Sequence, residues 1–231
     1  MKRYLSFLIK LSLLILLLSG CAAFRSGIRG EFGTSEKKNL RADKVSVLFI
    51  ISHYGQVKGY DAIPKLEKQR QIITDFDDFF IDALNELTNV KSYATYTEYA
   101  SDVSDPHRRA EKDSLISAHD FILRMKFSKE SSFAGNFLGT LVSTASATLL
   151  PVPYSRQYSL NVDVYNSEDV LIGNYKRGAS LTNWVQTLLI FIYPFHSERL
   201  KEEQIYIQSM HDVFRQIESE GILRESRIDD E

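Results

Sequence analysis

The sequence predicts an α+β fold, a small mixed sheet of about five strands with packed helices, plus two apolar segments that read as helices or hairpins. Three observations carry this. Residues 45–51 (VSVLFII) form an unbroken β-branched and apolar run, as expected of a central strand covered on both faces. Residues 158–165 (YSLNVDVY) alternate with period two, the mark of a strand with one buried face. Residues 65–87 and 197–220 repeat apolar side chains at helical spacing.

The elements follow in chain order. After the first strand a polar loop carries Gly55, Gly59 and Pro64. Leu66, Ile73, Phe76, Phe80, Ala83, Leu84 and Leu87 then fall near one helical stripe, and the acids Asp75, Asp77, Asp78, Asp82 and Glu86 read as its solvated face. Residues 90–96 read as a second strand. Asp105 and Pro106 open a short helix that runs to about Ser117, with proline placed where a missing N–H costs little. Residues 119–128 read as a third strand. The turn chemistry of Asn166, Ser167, Glu168 and Asp169 joins 158–165 to a return arm at 170–179. Ser197 opens the last helix and Gly221 stops it, with Leu200, Ile207, Met210, Phe214 and Ile217 as its stripe.

Two stretches lack charge. In residues 131–155, Gly135, Gly139, Ser143 and Ala147 recur every fourth residue, which on a helix makes one smooth stripe of small side chains. Phe133, Phe137 and Leu141 fall on another side. The second stretch, residues 178–196, contains Trp184, Leu188 and Phe191. Burial against the sheet, an interfacial position in a membrane with Trp184, Tyr154 and Tyr193 as anchors, and a protein–protein surface all fit these patterns. The candidate membrane or partner contacts are Phe133, Phe137, Leu141, Trp184, Leu188 and Phe191.

The amino terminus has the layout of a secretory signal: Lys2 and Arg3, then a greasy run, then small residues. Leu18, Ser19 and Gly20 precede Cys21, the only cysteine in the chain, so no internal disulfide can form. The apolar run is short of the roughly 20 residues of a membrane span. The tetrapeptide resembles the lipobox of bacterial lipoproteins. That resemblance implies a signal peptide at 1–20 recognised through Leu18, Ser19 and Gly20, and acylation of Cys21, a palmitate-type anchor in membrane lipid. Lipoproteins kept in an inner membrane often carry an acid directly after the cysteine. Ala22 and Ala23 stand here instead, which implies an outer membrane and a periplasm-facing domain. Residues 21–43 then read as a lipidated flexible tether, residues 44–221 as a single domain and residues 222–231 as a polar tail.

Charge and chemistry narrow the function classes. The whole chain has a net charge of −2, and losing Lys2, Arg3 and Lys10 with the signal makes it more acidic. A nucleic-acid groove calls for a basic face, so no nucleic-acid partner is expected. No nucleophile elbow, zinc-protease helix, phosphate loop or dinucleotide fingerprint occurs. The five histidines are scattered, so neither a metal site nor a cofactor is expected. His53, close after the first strand, stands without a sequence partner. No catalytic residue is assigned and no enzyme activity is expected.

Two further stretches carry a second resemblance: residues 116–123 (ISAHDFIL) and the arms Val162-Asp163-Val164-Tyr165 and Val170-Leu171-Ile172-Gly173. Together with the element order they resemble the small periplasmic domains of the TolB amino-terminal and curli-secretion-lipoprotein type. The resemblance covers roughly residues 44–180, and the uncharged insert at 131–155 departs from it. It implies a mixed sheet with helices and a non-enzymatic accessory or scaffold role in the cell envelope, through a protein partner or a homo-oligomer. The alternative is a membrane-inserting oligomeric component of a transport or secretion assembly.

Overall fold

The structure, a computed structural model, describes residues 20–35, 37–40, 42–67, 76–146, 150–186 and 197–224. The sheet is mixed, as expected, but has seven strands rather than about five. They are β1 (Gly20–Arg25), β2 (Val45–Lys58), β3 (Lys65–Leu66), β4 (Val90–Glu98), β5 (Phe121–Ser132), β6 (Val152–Asn166) and β7 (Leu171–Gln186). The order across the sheet is β1-β7-β6-β5-β2-β3, with β4 also on β2. β2 runs parallel to β4 and β5, and every other pairing is antiparallel. The helices are α1 (Phe76–Leu84), α2 (Pro106–Ser117), α3 (Phe133–Ala145) and α4 (Glu198–Glu220), with a short 3₁₀ turn at Ala100–Val103.

The unbroken apolar run in β2 is explained by its neighbours. Val45, Val47, Phe49 and Ile51 point into the main core under α1 and α4. Leu48 and Ile50 point to the opposite face, where Tyr96, Ile122 and the inner side of α2 cover them. A strand buried on both faces cannot alternate. β6 is covered on one face only, so Tyr158, Leu160, Val162 and Val164 are buried and their neighbours are not. At the hairpin, the Asn166 side chain accepts from the Glu168 and Val170 N–H groups, and Asp169 takes the left-handed conformation that closes the turn.

Three boundaries differ from the sequence reading. Lys65 and Leu66 are a short strand on β2, not the start of a helix, and α1 begins within the described residues at Phe76. Residues 178–186 are no separate apolar segment: they complete β7, between β6 and β1. The polar tail begins later than residue 222, because Leu223 is buried in the main core and its carbonyl accepts from the Asn89 amide.

α4 is the central element of the helical layer. Its buried apolar residues are Ile205, Tyr206, Met210, Val213, Phe214 and Ile217, each contributing roughly 1.5–3 kcal/mol when fully buried. The expected stripe is shifted near its start. Leu200 is exposed, and the buried residue of that turn is Glu202, which accepts from Lys129 Nζ at 3.2 Å and from the Tyr158 hydroxyl at 3.2 Å. Burial pushes the Glu202 carboxyl above its ordinary range, partly offset by Lys129.

The largest departure concerns the expected tether at 21–43, whose described residues do not hang free of the domain. Residues 20–25 are the edge strand β1, and residues 26–35 and 37–40 run as a strap across α4. The backbone N–H groups of Phe32 and Gly33 donate to Asp212 at 2.9 Å each. Arg215 donates to the Gly33 carbonyl at 3.0 Å, Arg25 to Gln208 at 2.7 Å, and Ser35 to Ser219. Gln208, Asp212, Arg215 and Ser219 recur at helical spacing, so one stripe of α4 meets the strap while another meets the sheet. Asn39 closes the strap by donating its backbone N–H and its side chain to Glu218.

Candidate functional site

Within the uncharged stretch 131–155, residues 131–132 end β5, residues 152–155 open β6 and, among the described residues, only 133–145 form a helix, α3. Ser132 caps it, its hydroxyl accepting from the Gly135 N–H at 3.2 Å. Of the small-residue stripe, Gly139 and Ser143 are buried, Gly139 against the start of β6, whereas Gly135 is exposed and Ala147 lies outside the described residues. A Cβ added at Gly139 would stand 3.0 Å from both Tyr154 Cε1 and Val152 Cγ1, so glycine lets the helix backbone lie close to the strand.

The opposite half of α3 has no such cover. Phe133, Phe137, Leu138, Leu141 and Val142 are each between 45% and 61% exposed. Phe133 and Phe137 stack at 6.1 Å between centroids, and Tyr60, from the loop after β2, stacks on Phe133 at 5.8 Å. These side chains make an apolar cap on one end of the sheet. A contiguous exposed apolar patch on a folded chain marks an interaction site.

The start of β1 lies at this same end. Cys21 is opposite Val185, and Val185 is opposite Val152, the residue that touches α3 at Gly139. Two inter-strand spacings, roughly 10 Å, therefore separate the Cys21 backbone from the strand that seats the helix.

The sequence-predicted residues divide as follows. Phe133, Phe137 and Leu141 share the exposed face of α3. Gly20 and Cys21 open β1. Trp184 sits on β7 as a strand residue, half-buried, opposite Ala22 and Pro153. Leu18, Ser19, Leu188 and Phe191 lie outside the described residues. Sequence reading missed Leu138 and Val142, although their spacing of four beside the Phe133 row signals a wider face. It also missed Tyr60, for which no local pattern exists.

Three titratable groups that could invite a catalytic reading have the following surroundings. His53 lies inside β2, not after it, buried and stacked on Phe127 at 5.0 Å, and burial lowers its pKa to about 4. Glu86 of the expected solvated acidic face also reaches α4: it accepts from Arg215 at 2.9 Å and contacts His211 at 3.3 Å. Arg177 of β7 and Asp212 of α4 form a fully buried ion pair.

No family model matches the chain, and no curated protein matches it. Among solved structures, the chain is similar to a PelC dodecamer from Paraburkholderia phytofirmans at 8% identity, with a TM-score of 0.30, covering 87% of this chain and 99% of that one. A point variant of that dodecamer is similar at 9% identity with the same TM-score and coverage.

Proposed function

We propose that this protein is a lipid-anchored lipoprotein of the cell envelope, acylated at Cys21, that lies on a membrane surface through the apolar face of α3 and serves other envelope proteins as a non-catalytic accessory. The observation that carries this reading is the convergence of the Cys21 backbone and the α3 cap on one end of the sheet. A lipid attached there brings the cap against the same bilayer that holds the anchor.

Lengths favour a helix that lies on the membrane. The 13 residues of α3 extend roughly 20 Å, short of the roughly 30 Å hydrocarbon core. Among the described residues no helix is long and apolar enough to cross a membrane. Each of the five half-exposed side chains has about half of a full burial left to gain, roughly 1 kcal/mol, so the face adds about 5 kcal/mol to what the acyl chains supply.

Mass spectrometry of the mature amino terminus tests the anchor. Acylated Cys21 as the first residue is the expected result, and retention of residues 1–20 or an unmodified thiol overturns it. Quenching of the single tryptophan, Trp184, by brominated lipids tests the docked end. Quenching in the reconstituted protein should weaken in the Phe137→Ser, Leu141→Ser variant, and equal quenching in both refutes a role for α3.

A further inference from the structure

On the sheet face turned away from α1 and α4, the strap and the strands border a cavity of about 560 Å³, within the size range of ligand pockets. Gln157 and Ser159 point to it because Tyr158 and Leu160, their neighbours on β6, point into the core. The strap supplies Arg29, whose backbone exchanges two hydrogen bonds with Gly178. Gly178 has no side chain, so the guanidinium lies over it: a Cβ there would stand 3.8 Å from Arg29 Nη2. Gly30, at φ 77°, holds the strap against β7, where a Cβ would meet the Lys176 carbonyl at 2.8 Å. Lys176 follows two residues before Gly178 on the same face, roughly 7 Å away. The charges do not balance. Among the described residues Glu130 is the one acid in the lining, and it pairs with Lys58 at 2.6 Å. Arg29 donates to Gln157, a neutral partner, at 2.7 Å, and the Lys176 ammonium has no partner among the described residues. Lys126 stands in the row of Lys176, across Asn161. Asp163, one row further, accepts from the Asn174 amide. Two positive charges are thus in excess beside the cavity, in a chain whose net charge is −2.

Donors converge at the β7 side of the cavity. The Arg29 guanidinium, the Lys176 ammonium, the Gln157 NH₂ and the Ser159 hydroxyl all border it. Donors grouped around two cations suit an oxyanion, because N⁺–H···O⁻ bonds are the strong kind. Volume gives the ligand a body. At roughly 30 Å³ for each water-sized group, a bare four-oxygen ion fills about a fifth of the space. At the far end Lys58 and Glu130 present a donor and an acceptor, which is what hydroxyl groups need. Position gives the source. Gly178 and Lys176 are level with Ser128 and Lys126, four and six residues along β5 from Ser132, the cap of α3. That is roughly 13 and 20 Å, and α3 is seated on the other face, against Val152 and Tyr154. The ligand therefore enters from solution, away from the apolar cap. We infer that this cavity binds a small water-soluble organic oxyanion, a phosphate ester or carboxylate with a hydroxyl-bearing body. Its anionic group lies between Arg29 and Lys176, and its body runs past Gln157 toward Lys58 and Glu130. The inference stands independently of the membrane-docked reading.

The test is acetylation of Lys176 in the full-length product held in a neutral detergent, read by mass spectrometry. Lys91, at the other end of the sheet, is the internal reference. The probes are sorbitol 6-phosphate and gluconate, with sorbitol as the neutral control, each at about 10 mM, tenfold above a Kd of about 1 mM. At least one of the two acids should slow acetylation of Lys176 about tenfold and leave Lys91 unchanged. The acid that protects identifies the anionic group as phosphate or carboxylate. Arg29→Gln keeps the backbone bonds of the strap but loses the charge-assisted contact, which should weaken binding about tenfold or more. Protection of Lys176 should then drop to about twofold at the same concentration. Equal protection by sorbitol overturns recognition through charge. Equal protection by inorganic phosphate makes the cavity a bare-ion site and overturns the organic ligand. Protection by neither acid overturns the site altogether, and full protection retained in Arg29→Gln overturns the placement of the anionic group.

Discussion

Replacing Asp212 with asparagine removes one charge from the most enclosed ion pair described in the structure. Arg177 and Asp212 are 4% and 5% exposed, and the carboxylate also accepts the backbone N–H groups of Phe32 and Gly33. Asparagine keeps the shape but leaves one acceptor oxygen for three donors, and it leaves the Arg177 guanidinium buried without its counter-charge. Breaking a buried pair from one side costs about 3–5 kcal/mol. An unfolding midpoint in urea should fall accordingly, with the slope unchanged. Because two of the lost bonds hold the strap, trypsin should cut at Arg29, Lys37 or Lys38 before the rest of the domain yields. The double variant Arg177→Met, Asp212→Asn removes both charges, and it should recover most of the loss. A single variant within 1 kcal/mol of the parent, or a double variant no better than the single, refutes the reasoning.

Two further outcomes follow from the packing. Gly139→Ala should be close to neutral, because about 1 kcal/mol of helix propensity offsets a tight 3.0 Å approach to Val152 and Tyr154. Gly139→Leu should lift α3 from β6, seen as faster amide exchange in α3 alone, and unchanged exchange would contradict the seating of the helix. His53 is neutral in the fold with a pKa of about 4 against an ordinary 6.5, so the unfolded chain binds the proton first. Its contribution is complete above pH 6.5 and is lost as pH falls toward 4, by roughly 3 kcal/mol. In urea titrations at pH 7.5 and 4.5, His53→Phe should lose less stability on acidification than the parent, and parallel losses would remove His53 from the acid response.

The parts of the fold visible in the sequence are those specified by neighbours along the chain. The period-two stretch in β6, the turn at Asn166, the proline at the start of α2, the glycine after α4 and the small stripe of α3 are all local patterns. β1 was hidden because Ala22 and Ala23 carry no β-branched signal, and its partner β7 lies about 160 residues away in sequence. The strap was hidden for the same reason. Its polar, glycine-bearing composition is that of a linker, and only the side chains of α4, nearly 180 residues distant, turn it into ordered structure. Glu202 misled the register of α4, since a buried carboxylate is intelligible only once Lys129 and Tyr158 are beside it. Of the candidate site, the aromatic row on α3 was legible. Its meeting with Cys21 was not, because that meeting depends on the sheet order.

The placement of β1 also determines how far the molecule can range. Twenty-two residues of extended chain reach roughly 75 Å, enough for a domain to swing through the width of a periplasm-like gap like a float on a line. Here the described residues of that stretch are spent on the domain itself, so the acyl group proposed on Cys21 would leave no slack. With the anchor proposed at Cys21, the body would be a tile cemented by one edge: its azimuth free, its height and tilt fixed. On that proposal a partner would meet it in the plane of the bilayer, where encounter is a two-dimensional search.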